Sequence, residues 1–204
     1  PTEELAPLLA PDAPHLFVYH FLIEGAGLVR LPNGSPIPLE PGDVIVVPHG
    51  DPHEMSSASG VPRRLSEAMI AKLQTRDLSA MQTGGGGEVS RFVCGFMVCD
   101  PLLCSPILQS LPPAFKVNLR TDRSGHWLEN SLLHLVDEAA SGHAGSEAVL
   151  AKMSEALFVD TLRRYLAGLP EQEAGWLAGA RDPIVGKSLV LLHSRSQHPW
   201  TIAE

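Results

Sequence analysis

The segment from Gly42 to His53 constrains this chain more than any other part of it. It reads Gly-Asp-Val-Ile-Val-Val-Pro-His-Gly-Asp-Pro-His, an apolar run held between two glycine turns and closed by a histidine. Pro41-Gly42 predicts a tight turn, Val44 to Val47 suits a strand covered on both faces, and Pro48-His49-Gly50 turns the chain back. His53 then re-enters the wall of the sheet. Written by its fixed positions, the motif is G-x5-P-x-G-x2-H.

From His15 to about Leu119 other short β runs flank this motif: Leu16 to Ile23, Gly27 to Leu31, Ile37 to Leu39 and Phe92 to Val98. Asn33-Gly34 lies between two of them and is a hairpin signal. Short strands at close spacing predict an antiparallel sandwich or barrel. The stretch from Ser56 to Glu88 is polar, with a helix predicted around Leu65 to Arg76 and a flexible loop at Gly84 to Gly87. No Gly-Lys-Ser/Thr follows those glycines, so they are not a phosphate loop.

After Thr121 the apolar period changes from two to about 3.6. Leu128, Leu132, Leu135 and Ala139 form one stripe, and Leu150, Met153, Leu157, Phe158, Leu162, Tyr165, Leu166 and Leu169 a second, wider one. Two amphipathic helices are expected, separated by Gly142 to Gly145. Ser146 is the expected N-cap of the second, and Gly168 with Pro170 its stop. The width of the second stripe leaves apolar surface for a partner chain. A Gly, Ala and Glu-rich linker follows, then a helix opened by Asp182-Pro183 that runs to about His193. Thr201 reads as the cap of a further helix.

The chain has 204 residues, enough for a real core, and a formal charge of -8. That balance disfavours a nucleic-acid surface within it, since affinity for a phosphate backbone needs clustered Lys and Arg. No apolar stretch approaches the ~18 to 20 residues of a membrane helix, and the start, Pro1-Thr2-Glu3-Glu4, resembles neither a signal peptide nor a natural initiation. A trimmed piece of a longer protein is expected. The cysteine count of 3 is odd, which argues for a reducing cytoplasm over a disulfide framework. On one continuous strand Cys94 and Cys99 would face opposite sides ~16 Å apart, beyond the ~7 Å that a bridge tolerates. Cys104, past Pro101, lies where a turn brings it near Cys99.

The order of parts resembles the AraC-type transcription regulators that carry a cupin sensor. The resemblance rests on the Gly42 to His53 motif, which is similar to the second cupin signature, and on His20-Phe-Leu-Ile-Glu-Gly25, Phe92-Val-Cys-Gly95 and Leu111-Pro-Pro. It is completed by Arg181-Asp-Pro-Ile-Val-Gly-Lys-Ser-Leu-Val-Leu-Leu-His193 and Pro199-Trp-Thr-Ile-Ala-Glu204. It implies a mainly β fold with α: a cupin-like double-stranded β-helix barrel over 1–121 and an antiparallel helical dimerisation pair over 122–170. A linker over 171–181 and the first helix of a truncated helix-turn-helix domain over 182–204 would follow. It further implies a homodimer that binds DNA through a missing C-terminal domain and answers to a small-molecule, metal or redox signal in the barrel. Metal-dependent cupin enzymes typically supply His-x-His from their first motif, and this chain has none. An oxygenase or isomerase of that kind is the alternative reading.

Within such a barrel His20 on an early strand, His53 closing the motif and Cys94 on a late strand are the candidate metal ligands. Two imidazoles and a thiolate suit zinc. His49 and Cys104 are reserve ligands, whereas His15, His126, His134 and His143 are expected at the surface. The same cysteines, with a lowered thiol pKa, would instead make an oxidant sensor. A third signal is a small organic ligand walled by Phe17, Tyr19, Phe92 and Phe96.

Overall fold

The structure, a computed structural model, describes residues 10, 13–57, 67–75, 80–82, 87–100, 108–140, 143–170, 179 and 182–201. Its strands are β1 (Leu16–Glu24), β2 (Gly27–Arg30), β3 (Ile37–Leu39), β4 (Asp43–Val47), β5 (Glu54–Ser57), β6 (Arg91–Val98) and β7 (Phe115–Asn118). Its helices are α1 (Glu67–Thr75), α2 (Arg123–Ala140), α3 (Ser146–Gly168) and α4 (Pro183–Ser194), with a 3-10 turn at Leu119–Thr121. The strands form two sheets, ordered β6-β1-β4-β7 and β3-β2-β5. Their pairings are antiparallel throughout. The chain divides into two compact units, Pro1–Tyr165 and Leu166–Glu204.

The opening motif folds as its residues dictate. Pro41 and Gly42 occupy the centre of a turn closed by the Asp43 amide donating to the Glu40 carbonyl at 2.9 Å, and Gly42 takes a φ of 97° that a side chain would resist. The Gly50 amide donates to the Val47 carbonyl at 3.2 Å and closes the second turn. Between them every residue of β4 is buried, because the two faces of its sheet are both covered. On one face Leu22 and Ile45 join Val29 and Leu39 of the other sheet in a shared core. On the other face α3 lies across the sheet, with Phe158 against Phe17 at 4.8 Å and Tyr165 stacked on Phe115 at 4.4 Å.

Asp43 ties the far edge of this sheet. Its carboxylate is 3% exposed and accepts from Lys116 Nζ at 3.0 Å, Asn118 Nδ2 at 2.9 Å and the Glu40 amide at 2.8 Å, so a buried charge is met on several sides. The start of α2 is fixed in a similar way, by a two-oxygen pairing of Arg120 with buried Glu129, while Arg120 also donates to the Ile23 carbonyl at the end of β1.

Several local expectations change. Pro32 and Asn33, not Asn33 and Gly34, sit at the centre of the turn after β2: the Gly34 amide donates to the Leu31 carbonyl at 3.1 Å and Asn33 carries the positive φ of 61°. Ser146 does not cap α3. Its hydroxyl is buried with no hydrogen-bond partner, and the first intrahelical bond runs from the Val149 amide to the Gly145 carbonyl, one residue earlier. β5 falls partly within the stretch read as a polar interruption, since Glu54-Met-Ser-Ser57 shows no apolar alternation and is held by its ladder with β2. α4 matches its sequence signal: Asp182 accepts from the Ile184 and Val185 amides and Pro183 fills the first turn. Cys104, Gly84 to Gly86 of the glycine run, most of the linker and the chain after Thr201 lie outside the described residues.

Candidate functional site

Strand alternation decides which side chains can meet between the sheets. On β1, Leu16, Val18, His20 and Leu22 share a face, and the ladder sets His20 opposite Ile45 of β4 and Cys94 of β6. Leu22 and Ile45 belong to the shared core, so His20 points inward with them. Phe17 and Tyr19 therefore point outward, onto α3, and do not wall the interior as expected. Phe92, opposite Leu22, and Phe96, opposite Val18, are on the inward face.

His53 enters from the loop before β5, in the other sheet, and its ring meets that of His20. The two Nε2 atoms are 2.7 Å apart and the ring centroids 4.9 Å. His53 Nδ1 donates to the Asp51 carbonyl at 2.9 Å. His20 is 7% exposed, and its Nδ1 is buried with no hydrogen-bond partner. Burial, with the neighbouring imidazole as a smaller cause, lowers the pKa of His20 to about 3. Burial also lowers that of His53, against the opposing pull of the Asp51 carbonyl. Both rings are neutral at physiological pH. A cleft of about 540 Å³, lined in part by Leu31, Ile37, Asp51 and Ala114, shares Asp51 with the anchor of His53 but is lined by neither histidine.

Cys94 is a free, exposed thiol on the edge strand β6. Although the residue as a whole is exposed, protein atoms crowd its sulfur, and desolvation raises the thiol above its ordinary value. The reserve ligand His49 turns away and donates from Nε2 to the Leu111 carbonyl at 3.1 Å. His15 is not a surface residue but half-buried, donating to the Pro48 carbonyl at 2.7 Å with its ring edge-on to Phe17. His126, His134 and His143 are exposed.

The donor types of His20, His53 and Cys94 fit zinc, and the Asp51 carbonyl accepts from His53 Nδ1 as backbone carbonyls do from the far nitrogen of metal-ligating imidazoles. The distances describe a different bond. Two nitrogens on one tetrahedral zinc stand roughly 3.3 Å apart, whereas these are in direct hydrogen bond at 2.7 Å. Among the described residues no three His, Cys, Asp or Glu side chains are grouped as a metal ion requires. Asp51 was invisible to sequence reasoning because it acts mainly through its backbone carbonyl, with its carboxylate charge a smaller pull on His53. Tyr19 and Ser154, which join β1 to α3, carry no motif.

Comparison with known proteins places these features. A family model described as Cupin matches residues 4–167. A provisionally named AraC-like transcription regulator of Streptomyces antibioticus is 26% identical over 194 residues, covering 95% of this chain and 62% of that protein. The HTH-type transcriptional regulator AlkR of Acinetobacter baylyi is 22% identical over 199 residues, covering 96% of this chain and 63% of AlkR. An uncharacterised HTH-type transcriptional regulator of Haemophilus influenzae is 26% identical over 194 residues, covering 92% of this chain and 59% of its own length. The chain thus spans less than two thirds of these relatives. Among the described residues no helix is long and apolar enough to cross a membrane.

Proposed function

This chain belongs to the cupin family, and from that premise we propose that it is the signal-receiving region of an AraC-type transcription regulator whose DNA-reading part follows in sequence. The observation that carries this reading is the alignment of nearly the whole chain with proteins named as regulators of that type. The enzyme alternative has less support, since the chain lacks His-x-His. Expression of the chain together with the residues that follow it tests the reading. Specific DNA binding by that longer protein is the expected result, and a downstream sequence without helix-turn-helix patterns contradicts it.

Within this reading the His20–His53 pair receives the signal. Of the three signals open to it, a small organic ligand agrees best with the geometry: the imidazoles are hydrogen-bonded to each other, one buried nitrogen lacks a partner, and the Cys94 thiol is moved away from the thiolate an oxidant sensor needs. Zinc on His20, His53 and Cys94 is the competing proposal, favoured by the carbonyl that orients His53. When bound there zinc would act as a structural clamp between the two sheets. Elemental analysis of protein purified without chelator or metal column decides between them: one zinc per chain, lost with Cys94→Ser, would select the clamp.

Homodimerisation through α3 completes the proposal. Val149 and Val159 on this helix are 48% and 54% exposed, while Leu157 and Thr161 are buried, so apolar surface remains for a second copy. A cytoplasmic location follows from the proposed role.

A further inference from the structure

The bonds at the histidine pair fix where its protons lie. A carbonyl oxygen only accepts, so the contact from His53 Nδ1 to Asp51 places a proton on Nδ1. In a neutral ring this leaves His53 Nε2 as a lone pair. The 2.7 Å contact then requires a proton on His20 Nε2, and in a second neutral ring His20 Nδ1 is left bare. That atom is buried and meets no donor, a condition that costs stability unless something arrives to satisfy it.

The surroundings restrict what can arrive. An anion brings acceptors to a lone pair. A cation has little to meet: the Asp51 carboxylate is only the smallest of the influences on the His53 ring, and among the described residues the buried carboxylates are Asp43, held by Lys116, and Glu129, held by Arg120. Apolar surface, by contrast, continues along the same face. Phe96 and Val98 share the inward face with His20 through their pairing with Val18 and Leu16, and they remain 36% and 49% exposed. This is surface left to be covered next to an acceptor left to be met.

We propose that the interior of this chain takes an uncharged small molecule with an apolar body and a single hydroxyl or N–H that donates to His20 Nδ1, and that it discriminates against carboxylates of the same shape. The proposal rests on the reading of the His20–His53 pair as the receiving site and names the ligand class for it.

The test uses a matched set of probes, phenol, toluene and benzoate, titrated onto the whole metal-free chain and followed by amide chemical shifts and melting temperature. Phenol should bind about fivefold more tightly than toluene, the effect of one net hydrogen bond, with benzoate weakest. In His20→Phe the phenol preference should vanish while toluene binding persists. Because that order is read first in the unaltered protein, a poorly folding variant does not decide the outcome. Benzoate binding as well as phenol, or a phenol preference that survives His20→Phe, overturns the ligand class and leaves the receiving site standing. Shifts from all three probes confined to residues away from β1 and β6 would overturn both.

Discussion

The Tyr19 hydroxyl donates to Ser154 Oγ at 2.9 Å, so the strand that carries His20 on its inward face grips α3 through the very next residue on its outward face. Gly95 lies opposite Tyr19 in the ladder, and a Cβ there would collide with the phenol ring. Any shift of β1 that occupancy at His20 produced would therefore reach the proposed dimer helix by direct contact, with no intervening loop.

This relationship predicts an energetic coupling. Tyr19→Phe and Ser154→Ala should each cost about 1 kcal/mol in urea unfolding, and the double variant little more than either. Additive losses would mean that the hydroxyls are not a coupled pair.

The depressed pKa of His20 predicts a pH dependence of stability. The unfolded ring takes a proton near its ordinary value of 6.5, while the folded ring resists until about 3, so the unfolded state binds more protons throughout that window. Stability from this group is fully present above about 6.5 and falls by about 1.4 kcal/mol per pH unit as the pH drops toward 3. Unfolding curves for the natural protein and the double variant His20→Gln, His53→Gln should converge in this range. Parallel curves would show that the rings are not buried neutral.

Much of this fold was legible in the sequence, and its failures have particular causes. Val44 to Val47 announced a strand covered on both faces, and Asp182-Pro183 announced a helix start, because both signals are local. β5 was expected only as the return of the chain to the wall at His53, and its extent was not legible because its residues are polar and the ladder to β2 holds them. His20 and His53 were both expected in the interior, and the structure brings their rings together; their direct hydrogen bond, and its anchor on the Asp51 carbonyl, depend on backbone placement that no residue type encodes. Phe17 and Tyr19 were assigned to the wrong face although alternation from His20 already excluded them.

The exposed side of α3 predicts its own outcome. Val159→Glu introduces charge on a surface-exposed apolar position without touching the sheet, so it should convert a dimer to a monomer in sedimentation at unchanged melting behaviour of the monomer fold. A mass unaffected by this change would place the interface elsewhere. Leu162→Glu is a harsher version, because Leu162 is half-buried.

The protonation pattern of the histidine pair is the most direct test of the account. Long-range proton–nitrogen correlation spectra of histidine-labelled, metal-free protein near neutral pH distinguish protonated from bare ring nitrogens at each site. The prediction is a bare Nε2 with protonated Nδ1 on His53, and a protonated Nε2 with bare Nδ1 on His20, the latter moving when phenol is added. A His20 ring protonated on Nδ1, or titrating near its ordinary value, would contradict the claim that this pair presents a buried, unmet acceptor to its ligand.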